Sequence, residues 1–166
     1  MNEEPAVSPP ARLRTIVLDC PDPLALADFY RSLLGGEVRW DGDDPGWVDL
    51  GTEAGHRLAF QQTNDYAPPT WPAPERPQQL HLDLTVDDIE SAEPAVLALG
   101  ARRHEIQPGE AEGDRFRVYL DPAGHPFCLC WDEAQAALPS WRGHAPGVAE
   151  DRGAPGSPHR SPTIEP

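Results

Sequence analysis

Polar residues alternate with apolar ones between Leu80 and Val86, and one of the polar residues is a histidine. The order Leu-His-Leu-Asp-Leu-Thr-Val predicts a β-strand, because successive side chains on a strand point to opposite faces. The leucines then pack against a core, and His81, Asp83 and Thr85 share the other face. A carboxylate beside an imidazole orients the ring and raises its pKa, which is how a general acid or base is built. His81 and Asp83 are therefore the candidates for acid–base chemistry.

The last apolar segment of the chain adds two thiols to the same face. Phe127 and Leu129 are expected to pack inward, which leaves Cys128 and Cys130 on the open side. A thiol needs a base and electropositive surroundings to act as a nucleophile, and the neighbouring acids predict a raised thiol pKa instead. We therefore interpret Cys128 as a packing residue or a ligand contact, and we place Cys128 and Cys130 among the predicted ligand contacts.

The elements that must position these residues occur twice. A shift of 66 positions aligns Ile16 with Leu82 and Asp22 with Asp88, and a shift of 69 aligns Gly55-His56 with Gly124-His125. The repeat predicts an α+β fold of two tandem βαβββ modules that form a curved mixed sheet around a shared cleft. The predicted domain spans residues 12–131, with modules at 12–63 and 79–131.

The repeat extends the cleft assignment to the first module. Thr15 and Asp19 correspond to the exposed positions of the later strand, and Gln61 corresponds to Cys130. Trp47 or Asp49, and Arg117 or Tyr119, are expected to add to the walls. The predicted ligand contacts are Thr15, Asp19, Trp47, Gln61, Trp71, Tyr119, Cys128 and Cys130.

A proline-rich loop at 64–78 joins the modules. It is interpreted either as a rigid surface linker or as a lid in which Tyr66 and Trp71 supply apolar contacts, because long ordered loops in compact domains are often functional. Residues 1–11 and 132–166 are polar and rich in proline, and both segments are predicted to be disordered.

Composition excludes several classes of function. The net charge of −15 argues against nucleic-acid binding, which needs a basic face. The chain contains no lysine, so Schiff-base chemistry is excluded. No apolar run reaches the roughly 20 residues that span a bilayer, and no signal peptide is evident. Three cysteines form an odd set, so reduced thiols and a cytoplasmic location are expected.

Five sequence elements together resemble the vicinal oxygen chelate superfamily, and in particular the small bacterial glyoxalase-like and bleomycin-resistance-like domain proteins. They are Leu18-Asp-Cys-Pro-Asp22, Phe29-Tyr-Arg-Ser-Leu-Leu-Gly35, Pro77-Gln-Gln-Leu-His-Leu-Asp83, Leu99-Gly100 and Asp121-Pro-Ala-Gly-His-Pro-Phe127. The resemblance covers about residues 12 to 131. It implies the duplicated fold described above.

Metal-dependent members of the superfamily hold a divalent ion on four inward residues, usually histidines and glutamates. The resemblance places those positions at Thr15, Ala59, His81 and Cys128. Only His81 is of the usual type, whereas a catalytic cation needs about three protein ligands. No cofactor is therefore expected; the alternative is an irregular divalent-metal site at His81 and Cys128, completed by Asp83 or Gln61.

Three functions remain open at this point. The first is a protein that binds a metabolite or drug in the cleft without the usual metal tetrad. The second is a lyase or isomerase with His81 as acid or base, and the third is a metal-dependent glyoxalase or dioxygenase. Free sheet edges also give a reason to expect a homodimer.

Overall fold

The computed structural model describes residues 10–43, 45–109, 111 and 113–131. The segments predicted to be disordered, 1–11 and 132–166, lie outside the described residues except for Pro10 and Ala11. No helix in the described part of the chain is long and apolar enough to cross a membrane.

Each half of the described chain forms one βαβββ module. The first module contains β1 (Ile16–Cys20), α1 (Pro23–Leu34), β2 (Glu37–Arg39), β3 (Trp47–Gly51) and β4 (Arg57–Gln62). The second contains β5 (Leu82–Thr85), α2 (Ile89–Ala98), β6 (Arg102–Arg103), β7 (Phe116–Leu120) and β8 (Pro126–Cys130). The predicted duplication and the α+β class are therefore confirmed.

The two modules have the same sheet topology. The strand orders are β1-β4-β3-β2 and β5-β8-β7-β6, so the first and last strands of each module lie side by side. That pair is parallel in both sheets, and the other pairs are antiparallel. Leu18 is opposite Phe60 in one sheet and Leu84 is opposite Leu129 in the other, which aligns the core-facing residues of neighbouring strands.

Helix α1 begins and ends where its sequence predicts. Asp22 caps the first turn by accepting a hydrogen bond from the backbone nitrogen of Ala25 at 3.0 Å, and Pro23 follows at the first helical position. Gly35 ends the helix with φ of 68°, a conformation that favours glycine. The buried face of the helix carries Leu26, Ala27, Phe29 and Tyr30.

Helix α2 continues through Pro94 to Ala98, although the proline lacks an N–H group for the helical ladder. Only Ile89 and Val96 are buried on this helix. Ion pairs therefore assist its docking: the two terminal guanidinium nitrogens of Arg117 each lie 2.6 Å from a carboxylate, one on Glu90 and one on Glu93. Because Glu93 is largely buried, its pair with Arg117 counts for more than an exposed one would.

Strand β6 is only two residues long, and the side chain of Gln107 continues the pairing with β7 beyond it. The amide of Gln107 donates to the carbonyl oxygens of Val118 and His104 and accepts from the Val118 nitrogen, over 2.7–2.9 Å. The strand thus ends at Arg103, and Gln107 satisfies the neighbouring edge of β7.

The hydrophobic core is continuous between the modules, and α1 joins them. The ring of Tyr30 stacks on Phe60 of the first module with centroids 5.6 Å apart. The adjacent Phe29 contacts Phe127 of the second module edge to face at 6.1 Å. Because both contacts come from one rigid helix, they fix the position of one sheet relative to the other.

The loop that joins the modules packs directly on the turn between β7 and β8. A Cβ atom added at Gly124 would lie 2.7 Å from Cβ of Pro68, closer than such atoms approach in proteins. Gly124 also has φ of 93°. The glycine is therefore needed both for the turn and for the close approach of the loop.

Replacement of Gly124 with alanine should lower the free energy of unfolding more than the same change at Gly55, the equivalent turn position of the first module. Both glycines have positive φ, which costs alanine about 1–2 kcal/mol. Only Gly124 faces a clash, since nothing lies within 4 Å of a Cβ at Gly55. Overpacking should therefore add about 1–3 kcal/mol at Gly124. Urea unfolding of both variants gives the comparison, and equal losses would contradict the packing of the loop on the turn.

Candidate functional site

Side chains alternate between a packed face and an open face along the strands of both sheets, as the sequence predicts. On β1 the side chains of Ile16, Leu18 and Cys20 turn inward, and Val17 and Asp19 are exposed. On β5 the residues Asp83 and Thr85 are exposed, whereas Leu82 and Leu84 pack against the core. His81, immediately before β5, is exposed as well.

His81, Asp83 and Cys128 form one side-chain cluster on the open face of the second sheet, and we call it the His81 cluster. One potential ligand atom from each residue lies within 4.8 Å of the others. His81 Nε2 is 3.3 Å from Asp83 Oδ1. Asp83 and Cys128 are register partners on β5 and β8, which explains why the parallel pairing brings them together.

A neighbour outside the cluster determines the tautomer of His81. The amide nitrogen of Gln78 lies 3.0 Å from His81 Nδ1. An amide nitrogen can only donate, so Nδ1 accepts and the proton of the neutral ring resides on Nε2, on the side of Asp83. The Nε2–H group of neutral His81 therefore faces the Asp83 carboxylate, and 42% of the His81 side chain is exposed.

The Cys128 thiol is held in its protonated form. Burial raises its pKa to about 12, and the charge and hydrogen bond of the Asp83 carboxylate add to that effect. Burial likewise raises the pKa of Cys130, again with a contribution from Asp83. Neither thiol is prepared to act as a nucleophile at neutral pH.

The tetrad positions do not form the divalent-ion site of metal-dependent superfamily members. Only His81 and Cys128 offer ligand atoms there, with Asp83 beside them, and the Cys128 thiol would have to lose a proton to bind an ion. The other two tetrad positions supply Ala59, which has no donor, and Thr15, whose hydroxyl donates to the carbonyl of Arg57 at 3.2 Å.

A cavity of about 310 Å³ lies beside His81, and we call it the junction cavity. Its wall contains Asp19 of β1, His81 and the loop residue Tyr66, together with Tyr30 and His125. The rest of its wall is mostly apolar: Val17, Leu18, Ala67, Pro69, Pro77, Leu80, Leu82 and Pro126, with Gln79 as a further polar member. The cavity thus combines both modules and the loop that joins them.

The predicted site residues divide between the cavity and the open faces. Asp19 and His81 line the cavity, and Asp83 adjoins it through His81. Gln61 and Trp47 are exposed register partners on the first sheet, and Trp47 donates its indole hydrogen to Asp49 at 3.1 Å. These two residues, with Thr15, Cys128 and Cys130, lie outside the wall of the cavity.

Two predicted aromatic contacts also lie outside the junction cavity. Trp71 packs against His104, with ring centroids 5.1 Å apart, and its carbonyl lies 3.2 Å from His104 Nε2. Tyr119 was wrongly assigned to the cleft: it is fully buried on the opposite face of β7, where it stacks on Phe127 at 5.7 Å. Its hydroxyl has no hydrogen-bond partner of normal geometry among the described residues.

Three cavity residues escaped sequence-based assignment. The sequence analysis did not assign Tyr30 or His125 to the cleft, and it named Tyr66 only in one of two interpretations of the loop. A signal was present in Asp121-Pro-Ala-Gly-His125, since an aspartate that opens a turn often binds groups a few residues later. The sequence contains no signal that would bring Tyr66 to the same place.

The native thiols should react slowly with iodoacetamide at pH 8, and Asp83→Asn should accelerate the reaction of Cys128 and Cys130. Cys20 is the internal control, because its pKa of about 12 is set by burial and by acids other than Asp83. Peptide mapping by mass spectrometry would follow each thiol. Equal acceleration at Cys20, or none at Cys128, would contradict the contact with Asp83.

The same pKa values predict a pH dependence of stability. The folded-state pKa of Cys20 and Cys128 lies above the ordinary value of 9.0, so folding favours the protonated thiol. This contribution is complete below pH 9 and is lost as the pH rises toward 12. The free energy of unfolding in urea, measured between about pH 8 and pH 11, should fall as the pH rises. Cys128→Ala should make this fall with pH less steep.

Solved structures share this fold. A hypothetical protein from S. aureus matches 75% of the chain over its full length, with 14% identity and a TM-score of 0.52. A glyoxalase/bleomycin resistance protein/dioxygenase family enzyme from Burkholderia phytofirmans PsJN has 16% identity and a TM-score of 0.51; the match covers 69% of this chain and 94% of that one. A protein from Bacillus cereus described as a possible glyoxalase has 11% identity and a TM-score of 0.51, over 72% and 97% of the two chains.

These identities are low, so the structural likeness establishes the fold alone. No curated protein matches the chain. The model of the glyoxalase-like domain matches residues 15–130, which begin just before β1 and end with β8. The chain therefore belongs to the glyoxalase-like domain family of the vicinal oxygen chelate superfamily.

Proposed function

We propose that this glyoxalase-like domain binds a small organic molecule in the junction cavity, without a resident divalent ion. The cavity itself carries the proposal. Its volume of about 310 Å³ suits a small ligand, and its mostly apolar wall is interrupted by a few polar groups, as in typical small-molecule sites. The apolar wall would supply most of the affinity.

Two residues of the cavity wall, Asp19 and His81, would orient the ligand. Asp19 offers a carboxylate from β1, and His81 offers a ring held between Gln78 and Asp83. They come from different modules, so a ligand that touches both must lie across the junction. The rigid contacts of α1 with both sheets keep the two residues at a fixed separation.

A second candidate function is proton-transfer catalysis of the lyase or isomerase type. The observation that favours it is the position of His81, which lines the cavity and has Asp83 Oδ1 only 3.3 Å from Nε2. A histidine that a carboxylate orients can exchange protons with a substrate, provided that the substrate replaces Gln78 at His81 Nδ1. In that case His81→Ala would abolish turnover while substrate binding persisted through the apolar wall.

A screen of metabolites by thermal shift should yield compounds that stabilise the parent protein, and His81→Ala and Asp19→Asn should weaken their binding. Loss of one hydrogen bond to a charged group corresponds to about tenfold or more in affinity. Gln61→Ala is the matched control, because Gln61 is the register partner of Asp19 and lies outside the cavity wall.

Isothermal titration of the best compound against the four proteins provides the affinities. Binding that is lost equally in all three variants would contradict the assignment to the junction cavity. Absence of any stabilising compound would contradict the binding function itself.

The purified protein should contain far less than one transition-metal ion per chain by elemental analysis. Two of the four tetrad positions hold Ala59, which has no donor atom, and Thr15, whose hydroxyl is hydrogen-bonded to the carbonyl of Arg57. A stoichiometric metal that disappears in His81→Ala would contradict this proposal and favour metal-dependent chemistry.

The cytoplasmic location and the homodimer remain predictions. Strands β2 and β6 end the sheets, so each sheet has a strand edge at which a second copy could pair. Light scattering at working concentration would test the association, and a monomer would contradict it.

A further inference from the structure

A second polar wall of the junction cavity is formed by Tyr66 and His125, backed by Asp121; we call these three residues the relay. Tyr66 and His125 line the cavity, whereas Asp121 is completely buried behind them. None of the three belongs to the His81 cluster. They connect the loop between the modules with the turn between β7 and β8.

Asp121 holds the relay in a single arrangement. Its Oδ1 accepts hydrogen bonds from the backbone nitrogens of Ala123 and His125, each at 2.9 Å. Its Oδ2 accepts from the Tyr30 hydroxyl at 3.0 Å and from His125 Nδ1 at 2.8 Å. Four donors surround the carboxylate, so the imidazole of His125 cannot rotate without breaking a buried hydrogen bond.

The directions of the hydrogen bonds follow from Asp121. A carboxylate only accepts, so His125 Nδ1 donates to it and Nε2 of the neutral ring is left as an acceptor. The Tyr66 hydroxyl lies 3.0 Å from Nε2 and donates to it. Burial raises the pKa of Tyr66, and the charge of Asp121 raises it further, so the phenol keeps the proton that it donates.

The hydroxyl oxygen of Tyr66 has then used its only hydrogen, and its remaining capacity is to accept. Asp19, which also lines the cavity, offers only acceptors as well. A ligand group that contacts Tyr66 Oη or Asp19 must therefore be a hydrogen-bond donor. A ligand carboxylate would instead face acceptors and the negative charge of Asp19.

We propose that Tyr66 Oη accepts a hydrogen bond from a hydroxyl group of the cavity's ligand, with His125 and Asp121 as positioning residues. This inference rests on the proposed binding function and specifies its ligand as a small apolar molecule that bears a hydroxyl group. The tyrosine and proline side chains of the wall suit the aromatic or aliphatic part of such a ligand, and the relay recognises its hydroxyl group.

The test uses phenol as a probe, with anisole and benzoate for comparison, and follows binding to the full chain by NMR. Anisole keeps the ring but replaces the hydroxyl hydrogen with a methyl group. Phenol should bind the parent about three- to tenfold more tightly than anisole, the range of one neutral hydrogen bond. Benzoate should bind more weakly than phenol.

Tyr66→Phe should remove the preference for phenol over anisole, because the ring remains and only the acceptor is lost. Gln61→Ala, outside the cavity, should keep the preference. If the relay were merely structural, Tyr66→Phe would lower stability and leave the ratio of the two affinities unchanged. That outcome, or equal binding of phenol and anisole by the parent, would overturn the proposal.

A second measurement needs no variant. Phenol should shift the ring nitrogen resonances of His125 in the parent protein. Its hydroxyl group would donate to Tyr66 Oη, and the Tyr66 hydroxyl in turn donates to His125 Nε2. Saturable binding of phenol without such a shift would overturn the relay as a ligand-binding element. If the two probes bind equally and Asp19→Asn weakens both, the cavity function stands and only the relay fails. If neither probe nor any metabolite binds, both proposals fail.

Discussion

The buried carboxylate of Asp121 is the constraint on which the geometry of the junction depends. A buried charge without hydrogen-bond partners costs several kcal/mol, so every donor around it must be in place when the chain folds. One donor is Tyr30 of α1 in the first module, and the others belong to the turn between β7 and β8 of the second. The requirement to satisfy one side chain thus links the two modules.

The aromatic contacts of α1 also link the two modules. Tyr30 stacks on Phe60 while its hydroxyl reaches Asp121, so a single residue packs against one sheet and bonds to the other module. Phe29 contacts Phe127 beside it. The loop between the modules is then held on the same turn, by Pro68 against Gly124 and by Tyr66 on His125. The junction cavity is the space left between these fixed parts.

Much of the fold could be predicted from the sequence because its signals are local and repeated. Each of these signals specifies a structure within a few residues, as do the alternation of Leu80 to Val86 and the helix caps at Asp22 and Asp88. The repeat provides an equivalent signal in the other module. The same alternation placed His81 and Asp83 on an exposed face. These inferences require no knowledge of how distant segments meet.

The remaining part of the site depends on contacts that no local pattern specifies. The segment Phe116 to Leu120 has large apolar or aromatic residues on both faces, so its alternation cannot show which face is open. The ion pairs of Arg117 with α2 decide it, and Tyr119 is turned into the core. Tyr66 and His125 are 59 positions apart and meet through a loop without periodicity. His125 could not be distinguished from an ordinary turn residue because its partner Tyr66 is distant in the sequence.

The structure requires opposite tautomers in the two histidines of the junction cavity, and this contrast tests the central claim most directly. The contact with Gln78 places the proton of neutral His81 on Nε2, whereas Asp121 places that of neutral His125 on Nδ1. The Tyr66 hydroxyl then donates to the unprotonated Nε2 of His125. A long-range proton–nitrogen NMR spectrum of the imidazole rings, recorded at a pH where both are neutral, distinguishes the two forms. We predict Nε2–H for His81 and Nδ1–H for His125. An Nε2–H or rapidly averaging ring at His125 would contradict the account, because Asp121 would then not organise the junction.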